Sequence, residues 1–390
     1  MSGSTSFALR VAAFYGAIFT YIGIYIPFFP PFLETRGLGA FEIGIIMALP
    51  LGARILATPL MTWFADRSGN PRAILIAYAV GVFASAAVYL VTRDFPATVA
   101  VTFVNAIFLN PVMPMTEAIA LRGVRVYALD YGRMRLAGSA TFIVGNLAGG
   151  AILAATGAGF AAWLMTGAAA ALVLTGLMLP QTGSEEGLAE RQAGFLSSMR
   201  AAANPLDLAV MAGLALVLSS HNLFYVFGTV HWAGQGINSA TAGTLWAIGV
   251  VAEIILFAWS GAVGARLGTG GLVFLSVGCA TVRWTAMVFD PPLVALYPLQ
   301  VLHGFTFGAT HLAAMRFLGE RSGGKGVNSL QGLYFTLTGL CGCLVNFAAG
   351  PLYETFAAGS YAVMTVQALA GGALTLYGLR AMRDKWVSTP

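Results

Sequence analysis

The most regular feature of the chain is a series of long apolar runs separated by short polar segments. Typical runs are "AILIAYAVGVFASAAVYLV" at 73–91 and "YAVMTVQALAGGALTLYGL" at 361–379. These runs are continuous, whereas the strands of a membrane barrel alternate apolar and polar residues over about ten positions. A helix needs about 20 apolar residues to cross the hydrocarbon core of a bilayer, which is the length of these runs. The pattern therefore predicts an all-α membrane protein.

About twelve runs of this kind fill the chain. They lie at about 8–33, 41–65, 71–92, 96–121, 132–157, 159–180, 206–230, 239–264, 270–289, 292–317, 326–351 and 358–382. The longest polar stretch divides them into two groups of six. We predict an N-terminal six-helix half at 1–180, a cytoplasmic linker at 181–204 and a C-terminal six-helix half at 205–390. Two halves of this kind are common among secondary transporters.

The basic residues are distributed unevenly between the loops on the two sides of this arrangement. Of the 20 Lys and Arg residues, only Arg36 and Arg93 fall in loops of one side, and Arg54 and Arg283 fall inside spans. All the others lie on the opposite side, which the positive-inside rule places in the cytoplasm together with both termini. We therefore predict a multi-pass protein of the bacterial cell inner membrane. The bases form no continuous stripe, so the net charge of +5 does not indicate nucleic-acid binding.

The composition excludes most other classes of protein. Hydrophobic residues make up 58% of the chain and charged residues only 9%, compared with about 25% charged residues in soluble proteins. The three cysteines fall in apolar runs without the spacing of a metal site or a disulfide framework. No nucleotide-binding loop and no nucleophile–base pair is visible. We therefore predict no cofactor, no metal and no enzymatic activity, and a monomer whose partners are lipid, protons and a small-molecule substrate.

Charged residues inside the predicted spans are the strongest candidates for function. A charge at the centre of a bilayer costs about 2.5–3.5 kcal/mol on insertion scales, so such residues usually face a cavity. Arg54 lies inside the second span and is suited to pair a substrate carboxylate, because its guanidinium matches a carboxylate in a fork geometry. The alternative is a structural partner for an acidic residue elsewhere in the bundle.

Glu253 in the eighth span is the candidate proton carrier. A carboxylate removed from water can become protonated near neutral pH. Arg283 in the ninth span is predicted either to tune this site or to form a permanent ion pair with Glu253. His303 in the tenth span is a candidate for substrate or proton handling, because histidine titrates near physiological pH.

A second set of candidates involves substrate contacts. Glu117, near the end of the fourth span, and Arg135, at the start of the fifth, are on antiparallel neighbours and can meet across a short loop. They are predicted to bind polar substrate groups, with a gate or structural salt bridge as the alternative. His221 has a polar neighbour in its span and is a further candidate for substrate binding. Aromatic residues such as Phe29 and Tyr225 could contact a substrate ring, although such residues in spans more often only pack.

Four sequence segments resemble a known family. The loop "ADRSGNPR" after the second span, with Asp66, Arg67, Gly69 and Arg72, resembles the structural loop of the major facilitator superfamily. The segment "LQVLHGFTFGATHLAAMRFLGERSG" from residue 299 onward, with "GVVAEIILFAWS" and "VRWTAMV", resembles the 3-phenylpropionic acid transporter branch of that superfamily. The resemblance extends over most of the chain and implies the major facilitator fold and a transport function.

That branch is similar to lactose permease, a sugar–proton symporter. By this resemblance, Glu117 and Arg135 match the sugar-binding pair, Phe142 the stacking tryptophan, Arg283 the ninth-helix arginine and His303 the tenth-helix histidine. The chain departs from the permease at Thr306, which occupies the position of the coupling carboxylate. Glu253 lies about one turn away from the permease's eighth-helix acid. The resemblance therefore does not extend to the permease's manner of proton coupling, and Glu253 is the candidate to take over the proton role.

These observations predict a proton-coupled symporter for a small organic solute, with an aromatic monocarboxylate such as 3-phenylpropionate as the first choice. A sugar or nucleoside symporter is the second reading, because the pair Glu117–Arg135 suits neutral polar groups. An exporter that exchanges protons for a drug is a third reading. A non-transporting membrane sensor is a different class, which the absence of an output domain disfavours.

Overall fold

The computed structural model describes residues 3–181, 204–322 and 327–387, in which every regular element is a helix. The α-helices are α1 (Gly3–Thr35), α2 (Ala40–Arg67), α3 (Pro71–Val88), α4 (Phe95–Leu109), α5 (Val112–Tyr127), α6 (Tyr131–Thr156), α7 (Ala161–Met178), α8 (Pro205–Ser219), α9 (Asn222–Gly234), α10 (Ser239–Ala258), α11 (Ser260–Met287), α12 (Leu293–His303), α13 (Ala309–Ser322), α14 (Val327–Phe356) and α15 (Tyr361–Val387). Short 3-10 helices occupy Ala158–Phe160 and Ala357–Ser360, and a π-helix occupies Gly304–Gly308.

These elements are consistent with twelve membrane spans, as the sequence predicts. Within the described ranges, nine helices are long and apolar enough to cross a membrane, or ten when the bent pair within α2 counts as one span. One of these nine, the continuous stretch Leu330–Arg383, contains parts of both α14 and α15, which the 3-10 turn Ala357–Ser360 separates.

Besides the bend within α2, three spans in the described part of the chain contain a break or a π-helix, which the hydrophobic pattern does not predict. The fourth span breaks at Asn110 and Pro111 between α4 and α5 and then continues to Tyr127, beyond the predicted end at 121. The seventh breaks at His221 between α8 and α9. The tenth contains the π-helix, which we call the wide turn (Gly304–Gly308). Interrupted spans expose backbone groups at membrane depth, and such groups need protein or water as partners.

The boundary between the eighth and ninth spans also differs from the prediction. The sequence predicts a loop at 264–270, whereas α10 ends at Ala258 and α11 begins at Ser260. Gly268 then interrupts α11 with φ 60° and ψ −178°. A positive φ of this kind is readily adopted only by glycine. The single predicted loop is therefore replaced by two short breaks in the helix, one at Trp259 and one at Gly268.

The described residues fall into two compact units. Unit 1 extends to Gln181 and includes Tyr225–Ala247; unit 2 includes Asn204–Phe224 and the described residues from Ile248 onward. The predicted halves 1–180 and 205–390 stay a prediction, and the predicted linker 181–204 lies almost entirely outside the described residues.

In unit 1, α1 is the central helix and packs along α6 and α7. The backbones of α1 and α6 approach closely, since a Cβ atom on Gly23 would lie 2.7 Å from the carbonyl oxygen of Phe142. In lipid, small residues at such contacts allow the van der Waals packing that drives helix association. One face of α1 carries a buried row of rings, in which Tyr25 stacks on Phe29 at 4.9 Å.

In unit 2, α8 packs against α15 and α14, and α11 packs against α13 and α15. A Cβ atom on Gly371 would lie 2.6 Å from the carbonyl oxygen of Gly213, so the backbones of α15 and α8 are in contact. Leu214, Leu272 and Tyr334 are fully buried in the apolar cluster between these helices. This packing forms a scaffold around the polar residues of α11 and the wide turn.

Candidate functional site

Unit 1 places Glu117 beside the first turns of α6. The Asp130 side chain caps this helix by accepting from the backbone N–H of Arg133. Tyr131 and Arg135 therefore lie one turn apart on the same face. The Tyr131 hydroxyl donates to Glu117 Oε1 at 3.5 Å, and Arg135 interacts electrostatically with the same carboxylate. The structure thus brings together the predicted pair Glu117 and Arg135.

The guanidinium of Arg135 is held by aromatic rings. Its Cζ atom lies 4.2 Å from the ring centroid of Phe19 and 5.7 Å from that of Tyr15. Gly138 leaves room for this arrangement, because a Cβ atom there would lie 2.5 Å from the Phe19 ring. Among the residues that the structure describes, none accepts a hydrogen bond from the Arg135 side chain. Cation–π contacts of this kind orient a guanidinium while leaving its N–H groups available.

Arg54 belongs to the same region of unit 1. Its side chain is solvent-accessible in the structure, and it interacts electrostatically with Glu117. Two guanidinium groups, those of Arg54 and Arg135, therefore interact electrostatically with a single carboxylate. We call the group Arg54, Glu117, Tyr131 and Arg135, with the rings of Tyr15 and Phe19, the arginine cluster. Its formal charge is +1 when Glu117 is ionised, which suits an anionic ligand.

Three further aromatic residues of unit 1 that are predicted to contact a substrate ring lie outside the arginine cluster: Phe29, Phe142 and Tyr225. Phe29 is fully buried and packs on Tyr25, Phe32 and Tyr89. Phe142 is half-buried on α6, two turns beyond Arg135. Tyr225 is also half-buried, with its ring 5.6 Å from that of Trp246.

Unit 2 contains a buried polar network centred on Arg283. Its side chain is fully buried, and its Nη2 donates to Gln300 Oε1 at 2.8 Å. Its Nη1 lies 3.2 Å from His303 Nδ1 and 3.5 Å from Thr306 Oγ1. The guanidinium also lies over the ring of Trp284, at 4.3 Å. A buried cation requires acceptors of this kind, because its desolvation is otherwise costly.

His303 connects this network to Glu253. Its Nε2 lies 3.8 Å from Glu253 Oε2, and the Glu253 side chain is 21% exposed. Glycines bring the two helices together, since a Cβ atom on Gly304 would lie 2.6 Å from the carbonyl carbon of Ala252. The structure therefore brings together the three residues predicted for proton coupling, with His303 contacting both Glu253 and Arg283.

The wide turn is stabilised by hydroxyl groups. The carbonyl oxygen of Thr306 accepts from Ser276 Oγ at 2.9 Å and from Thr310 Oγ1 at 2.6 Å. The Thr306 hydroxyl lies 2.8 Å from His221 Nε2. π-Turns inside helices occur frequently at functional sites. Here the turn presents His303 and Thr306 to the same network.

His221 lies in the break between α8 and α9 and is fully buried. Its Nδ1 lies 2.9 Å from the carbonyl oxygen of Leu218. Both ring nitrogens therefore have partners inside unit 2, so the predicted substrate contact would require one of them to be released. The predicted role of His221 in substrate binding stays a prediction.

The predicted structural loop has identifiable local contacts. Arg67 lies over the ring of Trp63 at 4.2 Å, and Gly69 adopts φ +67°. Arg72 donates to the carbonyl oxygen of Leu177 at 2.6 Å, at the end of α7. The Asp66 side chain lies outside the described part of the structure.

Sequence reasoning missed the tyrosines of the arginine cluster and the hydroxyl groups of unit 2. Tyr131 could have been found from its position four residues before Arg135, and Tyr15 only from the packing of α1. For Thr306, the sequence indicates only that the carboxylate of lactose permease is absent at this position. Its role as a hydrogen-bonding partner of His221 depends on the wide turn, which has no clear sequence signal. Within the described residues, no group of three or more metal-ligating side chains is suited to hold a metal.

Comparison with known proteins supports the resemblance. The model of the MFS_1 like family matches residues 8–363. The chain is 30% identical to the probable 3-phenylpropionic acid transporter of Escherichia coli (strain K12), over 90% of this chain and 93% of that protein. It is 26% identical to the maltose permease of Geobacillus stearothermophilus, over 95% of this chain and 92% of that protein.

Solved transporter structures share the fold. A mutant of the nucleoside transporter NupG matches with a TM-score of 0.82 at 16% identity, covering 96% of this chain and 99% of that one. A D-xylose–proton symporter matches with a TM-score of 0.69 at 15% identity, covering 97% of each chain. These relatives are transporters, in agreement with the prediction of a non-enzymatic function. The chain belongs to the MFS_1 like family and is a multi-pass secondary transporter of the major facilitator superfamily.

Proposed function

We propose that the chain is a proton-coupled symporter for a small aromatic monocarboxylate, with 3-phenylpropionate as the first candidate. The observation that carries this proposal is the arginine cluster, in which Arg135 lies over the rings of Phe19 and Tyr15 and both Arg135 and Arg54 interact electrostatically with a single carboxylate, Glu117. The similarity to a probable 3-phenylpropionic acid transporter supports the same substrate class.

The chemistry of the arginine cluster fits both ends of such a substrate. A guanidinium offers paired N–H groups that match the two oxygens of a carboxylate. Arg135 is already oriented by Phe19 and Tyr15, so little side-chain entropy is lost on binding. The rings of Phe19 and Tyr15 beside the charge also provide an apolar surface for the phenyl group.

The proton site of the proposal is Glu253. A carboxylate inside a span is costly while it is ionised, and protonation removes that cost. His303 contacts Glu253 on one side and Arg283 on the other, so the charge of Glu253 affects the whole network of unit 2. A protonated Glu253 therefore lowers the cost of reorienting the transporter.

Coupling requires that the substrate and the proton favour the same conformational state, since a ligand with equal affinity for both states shifts nothing. We propose that the two six-helix halves, 1–180 and 205–390, rock around the substrate. We also propose that the chain lies in the bacterial inner membrane as a monomer with both termini in the cytoplasm, as the distribution of basic residues indicates.

A neutral sugar is the second candidate substrate. The Glu117 carboxylate and the Tyr131 hydroxyl offer an acceptor and a donor that suit sugar hydroxyl groups. The similarity to a maltose permease points the same way. The positive charge of the arginine cluster favours the carboxylate.

Proteoliposomes with an imposed inward proton gradient test the proposal. We expect radiolabelled 3-phenylpropionate to accumulate above its equilibrium level and to leak out after addition of a protonophore. Maltose and a nucleoside serve as neutral competitors in the same assay. If only maltose or the nucleoside accumulates, the substrate is a neutral solute and not 3-phenylpropionate. If the proton gradient drives efflux of the solute, the protein is an exporter.

A further inference from the structure

The hydrogen-bond partners of His221 determine which of its nitrogens carries the hydrogen. Nδ1 lies 2.9 Å from the carbonyl oxygen of Leu218, and a carbonyl can only accept. Nδ1 is therefore the donor, and in the neutral ring Nε2 is an acceptor. The Thr306 hydroxyl, 2.8 Å away, supplies the hydrogen that Nε2 requires.

The Thr306 hydroxyl has a single hydrogen and two possible acceptors. One is His221 Nε2, and the other is the carbonyl oxygen of His303 at 3.2 Å. When the hydrogen points to His221, the oxygen lone pairs remain for Arg283 Nη1, which lies 3.5 Å away. His221 thus determines the orientation of this hydroxyl group, and the hydroxyl helps to place the guanidinium.

Arg283 in turn determines the state of His303. A guanidinium has only donors, so His303 Nδ1, at 3.2 Å from Arg283 Nη1, must be an acceptor without hydrogen. The neutral His303 ring then carries its hydrogen on Nε2, the nitrogen that faces Glu253 Oε2. His221 and His303 are therefore opposite tautomers, linked through Thr306 and Arg283.

We propose that His221 is a positioning residue for proton coupling: through the Thr306 hydroxyl and Arg283, it holds His303 in the tautomer that donates toward Glu253. This inference rests on the proposed proton role of Glu253. The groups that face His221 are Arg283 from α11, His303 at the end of α12 and Thr306 in the wide turn. The His221 ring also meets two non-titrating rings edge-on, those of Trp284 and Phe307.

Nitrogen NMR of the histidine rings tests this proposal without any substrate. The chain has 4 histidines, so the spectrum of a 15N-histidine sample in lipid nanodiscs is assigned by replacing His231, His303 and His311 by Gln in turn, which leaves the remaining signals to His221. We expect His221 as the Nδ1–H tautomer and His303 as the Nε2–H tautomer at neutral pH. The proposal would be overturned if His221 and His303 of the wild-type protein had the same tautomer, or if His303 were doubly protonated.

The Thr306→Val variant removes the hydroxyl at nearly constant shape. We expect its His303 signal to become a mixture of tautomers, whereas Thr306→Ser, which keeps the hydroxyl, restores the wild-type spectrum. Unchanged His303 signals in Thr306→Val would show that the hydroxyl does not act on this ring. Because the spectrum of each variant also reports whether His231 and His311 keep their signals, misfolding is recognised separately.

A transport measurement then connects the tautomer to function. We expect Thr306→Val to lower gradient-driven accumulation about tenfold, as for a lost buried hydrogen bond, and to shift its pH profile, while exchange without a gradient persists. A Thr306→Val profile identical to that of the wild type would contradict the positioning role. Absence of all 3-phenylpropionate transport in the wild type would overturn the proposed substrate, whereas the NMR result would still decide the role of His221.

Discussion

His303 Nδ1 lies 3.2 Å from Arg283 Nη1, and this contact fixes the direction of the adjoining interaction with Glu253. Because arginine only donates, the nitrogen of His303 that faces Glu253 carries the hydrogen. The carboxylate is therefore the proton-accepting partner of the pair. At 3.8 Å the two groups are slightly too far apart for a direct hydrogen bond, so a small movement or a water molecule can join them.

Replacement of Glu253 by Gln should separate proton coupling from substrate movement. The amide keeps the shape but cannot bind the transported proton. We expect Glu253→Gln to lose accumulation of 3-phenylpropionate under a proton gradient and to retain counterflow exchange. Glu354→Gln is a matched control, because Glu354 is an exposed carboxylate of unit 2 outside the network. Normal accumulation by Glu253→Gln would remove this residue from the mechanism.

Replacement of Arg135 by Lys should weaken binding of the carboxylate. Lysine keeps the charge but loses the planar fork and the stacking on Phe19. We expect the Kd for 3-phenylpropionate to rise about tenfold, which corresponds to about 1.4 kcal/mol, and the Kd for its neutral amide to change little. Isothermal titration of the purified protein measures both.

Arg133→Lys is the matched control for this measurement, because Arg133 is exposed and lies two residues earlier on α6. Arg54→Lys should resemble Arg135→Lys if both guanidinium groups bind the carboxylate. An equal rise in Kd for the acid and for its amide would show that the arginine stabilises the fold of unit 1 and does not bind the carboxylate.

The charge of the transported complex provides a third prediction. A monocarboxylate that moves with one proton carries no net charge, whereas a neutral sugar with one proton carries one positive charge. A membrane potential contributes about 2.3 kcal/mol per charge per 100 mV. We therefore expect a potassium-diffusion potential, applied with valinomycin at equal pH, to leave uptake of 3-phenylpropionate unchanged. Strong stimulation by a negative interior would indicate a neutral substrate or additional protons.

The close contact of α8 and α15 predicts a stability effect. A methyl group at Gly371 would lie 2.6 Å from the Gly213 carbonyl oxygen and would force the helices apart. We expect Gly371→Ala to destabilise the protein by about 1–3 kcal/mol and to lower the Tm in detergent. Gly278→Ala is the control, since a Cβ atom there meets nothing within 4 Å. Equal Tm values for the two variants would mean that α8 and α15 can move apart at Gly371 without loss of stability.

The sequence predicts the spans well because lipid imposes one requirement on every helix, a continuous apolar length. It also identifies Glu253, Arg283 and His303, since each is an ionisable residue in an apolar run. The departures occur where helices break. The break at His221 and the wide turn depend on hydroxyl groups from distant helices, such as Ser276, which satisfy the backbone locally.

The sequence predicts the candidate site less completely than the spans, because part of the site also depends on contacts between distant helices. Glu117 and Arg135 are close in sequence and joined by a short loop, so their proximity follows from antiparallel packing. Tyr15 and Phe19 reach Arg135 only because α1 lies against α6, a contact between distant parts of the chain. A hydrophobic pattern locates helices but does not specify which faces meet.

The wide turn has a consequence for the register of its span. Successive residues of an α-helix are separated by about 100° around the axis and about 1.5 Å along it. One additional residue in a single turn therefore rotates everything after Gly308 relative to everything before Gly304. His303 can face Arg283 while Arg316, further along, donates to the carbonyl oxygen of Gly264 at 3.1 Å. Shortening the turn by one residue would swing Arg316 about 100° away from that carbonyl, so the length of the wide turn sets which face of α13 meets α11.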